Sequence, residues 1–279
     1  MRDEVIRTDK GSVLQHGKFN DRIYLMKLSG NDIPGIIDIL KELAQQNKYG
    51  KITARVPIWA LPLFQADGYI TEAYLPGYVR GEEDIHYVSK FLNSDRLMHL
   101  ETDMLIKLSN ILYKNKGEKQ HKKLPDYDIK QISEEDAPRV ADLFKEVFTT
   151  YPFPIHDPEF ILSSMRANTR YFGIKDGKDN YVAISSAEIE PDYLAAEMTD
   201  FAVLKSQRGK KLSIILLKEM EKQMRDMNIL TLYTIARLNS PPMNKTFLRM
   251  GYKYTGTLIK NTNIAGRIES MNILYKSLK

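Results

Sequence analysis

An α/β (α+β) fold, with strands and helices alternating along the second half of the chain and a shorter run of the same order before it, is predicted by three features. The first is residues 197–224, EMTDFAVLKSQRGKKLSIILLKEMEKQM, which read as a strand entering a basic turn and then an amphipathic helix. The second is the ordered series of strand-like and helix-like segments from 127 to a closing hairpin near the C-terminus. The third is an internal echo: KITAR (51–55) followed by FQADGY (64–69) repeats the layout of YTIAR (233–237) followed by FLRMGY (247–252), with arginine-to-glycine spacings of 13 and 14.

In the first half, 23–28 suits a strand, 33–44 has the apolar period of a helix, 51–55 is a strand, and 70–79 with 85–91 closes as a hairpin. Leu97, Leu100, Met104, Leu108 and Ile111 mark a connecting helix over 95–113, ahead of a lysine-rich linker. In the second half, 127–132 reads as a strand, and Ser133 with Glu135 and Asp136 opens a helix that turns Val140, Leu143, Phe144 and Val147 inward. An aromatic, proline-rich loop, TTYPFPIHDP at 149–158, precedes a short helix at 159–166 and strands at 170–174 and 181–189. A strand at 198–204 leads through the basic turn to a helix with Leu212, Ile215, Leu216, Met220, Met224 and Met227 on one face. A strand at 231–237, a short helix at 243–250 and strands around 253–260 and 267–275 complete the order. The expected division is an N-terminal domain over 1–94, a helix and linker over 95–125, and a second domain over 126–279.

Composition removes several functional classes. The chain has no cysteine, so disulfides, thiolate nucleophiles and cysteine metal sites are excluded. It lacks a signal-like N-terminus and an apolar run long enough to span a bilayer, so a cytoplasmic protein with no membrane partner is expected. The net charge is +5, but Lys114, Lys116, Lys119, Lys122 and Lys123 against Glu118 account for +4 of it in one stretch, and no nucleic-acid partner is expected. The five histidines have no metal-ligand spacing, so no metal is expected.

The chemistry is carried by the turn. Gln207-Arg208-Gly209-Lys210-Lys211 combines cationic side chains with a glycine that admits unusual backbone angles, and it abuts the free N–H groups and positive dipole end of the following helix. Such a junction can hold a pyrophosphate. With Asn244, Thr246, Phe247, Gly251 and Tyr252 after the next strand, the order of elements over 126–279 resembles the GNAT superfamily of acetyl-CoA-dependent N-acetyltransferases. SSAEI (185–189), EMTDFA (197–202), TIAR (234–237), MNKTF (243–247), NTNIAGRIESMN (261–272) and TYPFPIHDP are similar to segments of beta-lysine N6-acetyltransferases of bacteria and archaea.

The resemblance implies a GNAT fold, a mixed and mostly antiparallel sheet flanked by helices, and acetyl transfer from acetyl-CoA to the terminal (N6) amine of beta-lysine. It places acetyl-CoA against Ala202, Val203 and Leu204, against Arg208, Gly209, Lys210, Lys211, Leu212 and Ser213, and against Asn244 and Phe247. Two departures from the family pattern stand out: Lys211 where the turn's first glycine is expected, and Phe247 where many relatives carry the tyrosine that protonates the leaving thiolate.

An alkyl ammonium has a pKa of about 10.4, so exposing its lone pair at neutral pH costs on the order of 4–5 kcal/mol and calls for a base. Glu197 is the first candidate, because strict alternation puts 197, 199, 201 and 203 on one strand face, with Glu188 on the neighbouring strand the second. Asp200 is a further ammonium contact if a bulge brings it round. Arg237 is the candidate for the acceptor's carboxylate, and Tyr151, Asn263 and Glu269, with Phe153 and Asn261 on the same segments, for the rest of the acceptor pocket.

The first half is expected to be a degenerate GNAT-like half-domain. LSGNDIPGIIDIL, with Asp32 and no basic cluster, stands where its phosphate turn should be, so it is expected to bind no CoA and to help complete the acceptor site. The expected partner is a small-molecule amine, with a homodimer left open. Lysine, a polyamine or a protein amine remain alternative acceptors, and a non-catalytic acyl-CoA sensor is the alternative class.

Overall fold

Between Tyr181 and Ala187 every side chain of a ten-residue strand is buried, because helices pack on both faces of its sheet there. A computed structural model describes residues 3–98, 100–115, 127–264 and 266–279. The bulk of the lysine-rich stretch, 116–126, lies outside the described residues.

The first sheet is formed by β1 (Glu4–Arg7), β2 (Val13–Gly17), β3 (Arg22–Lys27), β4 (Lys51–Pro57), β5 (Ile70–Val79) and β6 (Glu83–Phe91), in the order β1-β2-β3-β4-β6-β5. Helix α1 (Ile36–Asn47) joins β3 to β4, and α2 (Leu61–Ala66) joins β4 to β5. Ile36, Ile37, Leu40 and Ala44 of α1 pack with Ile23, Leu25, Ile52 and Ala54 of the sheet, as the four-residue spacing dictates. Residues 22–92 thus have the order strand, helix, strand, helix, strand, strand. Sequence reasoning missed β1 and β2, which are short and lack clear alternation.

Two helices, α3 (Asp95–Met98) and α4 (Thr102–Asn115), replace the single connecting helix expected over 95–113. The second sheet contains β7 (Ile129–Gln131), β8 (Thr169–Lys175), β9 (Tyr181–Glu190), β10 (Ala195–Val203), β11 (Thr231–Arg237), β12 (Lys253–Ile264) and β13 (Arg267–Ser277), in the order β12-β13-β11-β10-β9-β8-β7. Helices α5 (Ala137–Val147) and α6 (Pro158–Ala167) precede β8, α7 (Leu212–Asp226) links β10 to β11, and α8 (Pro241–Arg249) links β11 to β12. The sheet is mixed and mostly antiparallel, with β10 and β11 its parallel pair. The six strands of the first sheet repeat the layout of six of these seven, β7 having no counterpart: β3 and β4 are parallel like β10 and β11, and β6-β5 follow β4 as β13-β12 follow β11. On α7 the expected face is buried, except that Met227 falls at the C-cap and is exposed.

The two sheets share a core of Ala73, Leu75, Tyr78, Ile85 and Tyr87 from one and Ala195, Tyr233, Leu258, Ile264, Met271 and Ile273 from the other. Polar links stitch the seam: Lys51 Nζ donates to Glu72 Oε2 and to the Ile259 carbonyl, each at 2.7 Å, and Thr53 Oγ1 donates to Asn261 Oδ1 at 3.1 Å. Among the described residues no helix is long and apolar enough to cross a membrane.

Two irregularities position the functional region. β10 and β11 pair only from Ala195 to Glu197 and Thr231 to Tyr233, although both run further, so they splay apart. On its other edge β10 bulges between Thr199 and Ala202, with Asp200 at φ +55°.

Candidate active site

A cavity of about 570 Å³ lies between the sheets at the mouth of the splay, a volume suited to a small ligand. One end is acidic. Glu188 on β9 and Glu197 on β10 face each other directly across the antiparallel pair. Glu188 is exposed at the cavity, which opens to solvent, and it has no hydrogen-bond partner among the described residues. Desolvation by the protein around it, followed by repulsion from Glu197, Asp200 and Glu190, pushes its carboxyl above the ordinary range. Burial, then Asp200 and Glu190, push Glu197 up to about 8, against the pull of Arg55 and of a hydrogen bond from the Ile235 N–H.

Asp200 joins this face because of the bulge. Before it, Ala196 and Met198 point toward α7; after it, Phe201 and Val203 do so, while Ala202 turns toward α5. The expectation that 197, 199, 201 and 203 share a face is therefore corrected: Glu197, Thr199 and Asp200 line the cavity, and 201 and 203 lie on the opposite side. Asp200 accepts from Tyr151 Oη at 2.5 Å and Ser186 Oγ at 2.7 Å; burial raises its pKa although these bonds oppose the rise. The fourth carboxylate, Glu190, accepts from both terminal nitrogens of Arg55 and from Tyr233 Oη, each at 2.9 Å. Burial favours its neutral form, but Arg55 prevails and its pKa is lowered. The cavity end thus holds one fixed anion, Glu190, and three carboxyl groups whose pKa values are raised, which suits binding a cation and taking a proton from it.

On the far side of β10, the turn has the geometry of an anion cradle. The first backbone bonds of α7 run from the Ile214 and Ile215 N–H groups to the Lys211 carbonyl, so the amides of Gly209 to Ser213 precede the helical ladder. Gly209 has φ +84°, and a Cβ there would meet nothing within 4 Å. Lys211 sits at φ +63°, the left-handed region that explains the glycine of the family pattern. Arg208, Lys210 and Lys211 have no carboxylate partner among the described residues; Lys210 Nζ donates to Gln207 Oε1 at 2.6 Å and Arg208 Nε to the Val203 carbonyl at 3.5 Å. These residues fit a pyrophosphate. Ala202 is buried, the Leu204 N–H is taken by the Val182 carbonyl at 3.0 Å, and Val203 and Leu204 are both half-buried at that strand end.

Other expected contacts are used internally. Asn244 donates to the carbonyls of Arg237 and Ser240 and accepts from Asn272, all within the protein, and Phe247 packs edge-on against Phe201 and Tyr252 in the core. Arg237, expected to bind a carboxylate, is matched to Glu269, its Nε and Nη2 each 2.9 Å from a carboxylate oxygen, and neither residue lines the cavity. Asn263 does not line the cavity: its backbone N–H donates to Asn20 Oδ1 and its Nδ2 to the Phe19 carbonyl across the seam, β12 shifting register between Leu258 and Thr262, and Asn261 and Thr262 line the cavity in its place. Tyr151 and Phe153 do line it. Sequence reasoning missed Gln15, Arg22, Tyr24, Arg55, Glu190 and Tyr233. The KITAR echo was the available signal for Arg55, since that position in the second copy is Arg237, a residue already singled out.

The sequence model of the acetyltransferase (GNAT) family matches residues 137–252. The chain is 40% identical over 266 residues to a beta-lysine N(6)-acetyltransferase of Methanococcus maripaludis, covering 95% of this chain and 96% of that protein. It is 32% identical to N-acetyltransferase YodP of Bacillus subtilis, over 96% of each chain. It is also 32% identical to a beta-lysine N(6)-acetyltransferase of Methanosarcina mazei, over 87% of this chain and 97% of that protein.

Proposed function

Since this chain belongs to the beta-lysine N6-acetyltransferase family of the GNAT superfamily and is an acetyl-CoA-dependent N-acetyltransferase, we propose that its acceptor is beta-lysine, acetylated at the terminal N6 amine. The carrying observation is the facing pair Glu188 and Glu197 at one cavity between the sheets, with Asp200 beside them. A bound ammonium would lower the carboxylates' pKa values by its charge, and Glu197, held near neutrality by its surroundings, would accept the proton as the amine nitrogen approaches the acyl carbon. The free amine then attacks the thioester directly; the N–C bond forms, the nitrogen gives up its second proton to solvent, the C–S bond breaks and the CoA thiolate leaves. With Phe247 in the core, the thiolate takes its proton from solvent, which its low basicity permits (thiol pKa about 8.5). Glu188 and Asp200 hold the ammonium and keep the proton acceptor poised.

Acetyl-CoA supplies the activated acetyl group, and the 208–213 turn would hold its pyrophosphate. Replacing Lys210 and Lys211 together by alanine is expected to raise the KM for acetyl-CoA about 10- to 100-fold with little change in the KM for the amine. Steady-state kinetics with each substrate varied in turn would check this, and equal effects on both would remove the turn from the role.

We infer that the N-terminal sheet is a degenerate second copy of the fold that serves the acceptor site. Where its phosphate turn would stand, the buried Asp32 carboxylate accepts from Thr8 Oγ1 at 2.7 Å and the Ser12 N–H at 3.0 Å, a negative group where an anion would bind.

The acceptor is tested by incubating the full chain with acetyl-CoA and beta-lysine, lysine, spermidine or a basic peptide, and measuring acetylated product and free CoA by mass spectrometry. Preferential acetylation of beta-lysine at N6 is expected. Preference for spermidine or the peptide would overturn the reading.

A further inference from the structure

We propose that Arg22, on β3 of the N-terminal sheet, reads a carboxylate on the acceptor through the Nε–Nη2 edge of its guanidinium, so that the cavity selects amines that are also acids. The inference rests on the cavity being the acceptor site. Arg22 lines that cavity and is only 4% exposed. Its Nη1 is satisfied by the Asn261 carbonyl at 2.5 Å and Thr262 Oγ1 at 3.2 Å. Its Nη2 reaches only Gln15 Oε1, at 3.4 Å, and its Nε, buried from water, has no partner. No carboxylate is paired with it among the described residues.

The unmet Nε and the weakly held Nη2 form one edge of the planar fork, the edge a carboxylate grips with two parallel bonds. The protein uses that arrangement elsewhere: Arg237 presents Nε and Nη2 to the two oxygens of Glu269, each at 2.9 Å. Arg55, the other arginine of the cavity, is already matched to Glu190. Arg22 is therefore the cavity arginine with an open fork. The Tyr24 ring lies 5.2 Å from its guanidinium carbon and offers a weak cationic contact, not a neutralising charge. A buried donor left without an acceptor, as Nε is, is costly, and burial has already pulled the Arg22 pKa down to about 10. A carboxylate would relieve both deficits. The cavity would then hold a basic group supplied by the first sheet and an acidic cluster supplied by the second, the complement of a zwitterion carrying an amine remote from its carboxylate. It also gives the N-terminal sheet a chemical reason to border the site.

The test compares acid and amide forms of the same amine: beta-lysine with its carboxamide, and lysine with its carboxamide, in wild type and in Arg22→Gln and Arg22→Lys. In wild type, kcat/KM for the acid is expected to exceed that for the amide by about 100-fold, most of it in KM. Arg22→Gln is expected to erase the preference, and Arg22→Lys to restore part of it. Equal use of acid and amide by wild type would overturn the proposal even if every variant failed to fold. So would an acid preference that survives Arg22→Gln. A preference for lysine over beta-lysine, with the acid-to-amide ratio still set by Arg22, would overturn the beta-lysine reading and leave this proposal standing.

Discussion

Glu197→Gln is expected to lower kcat by about 100-fold or more at pH 7, the usual contribution of a positioned base, and to raise thermal stability at the same time. Both effects follow from one cause. The Glu197 carboxyl is pushed up to about 8, chiefly by burial and then by Asp200 and Glu190, while the ordinary value is 4.5. A carboxyl whose folded pKa exceeds its unfolded one favours the fold fully below about pH 4.5; that contribution is lost as pH rises through about 8. Glutamine stays neutral and can still accept from the Ile235 N–H, so the variant's gain in Tm should be small at pH 5 and largest near pH 9. The kinetic defect should run the other way, shrinking at high pH where more of the acceptor is already free amine. Paired melting curves and pH–rate profiles would check the two slopes. A loss of activity independent of pH, with no gain in stability above pH 8, would make Glu197 a structural carboxylate.

Gly256→Ala is expected to destabilise the protein by about 3 kcal/mol and to depress activity with every acceptor alike. A Cβ at Gly256 on β12 would overlap the Glu72 carbonyl oxygen and lie 2.7 Å from Ala73 Cα, both on or beside β5. Neither obstacle is the end of a flexible side chain, so the added methyl can be accommodated only by moving the two sheets apart. The same sheets wall the cavity, and a shift there would misplace Arg22 and Arg55 relative to the carboxylates of β9 and β10. Chemical denaturation and acetyl transfer to a carboxylate-bearing and a carboxylate-free amine would check this. Loss confined to the carboxylate-bearing acceptor would point to a local effect instead. Gly209→Ala is the contrast: its Cβ meets nothing, and its cost is only the positive φ, about 1 kcal/mol.

The sequence by itself determined the elements and much of their chemistry. Four-residue apolar spacing placed α7, the strand pattern placed β10 and β11 to within a few residues, and Gly209 has the unusual backbone angle expected of it in the turn before α7. These are local properties, set by φ, side-chain period and helix ends, so a linear reading reaches them. Glu188, Glu197, Asp200 and Tyr151 were also named and do meet at one cavity. Tertiary structure alone decided which way the remaining groups point. A single bulge at Asp200 reverses the faces of β10, and the register shift in β12 exchanges Asn263 for Asn261. Arg237, equal to Arg55 by sequence pattern, is consumed by Glu269, while Arg22, which no motif marks, keeps an open fork at the cavity. Whether a buried charge is paired depends on residues from another part of the chain: Arg22 meets Asn261 across 239 positions, a relation no local pattern encodes.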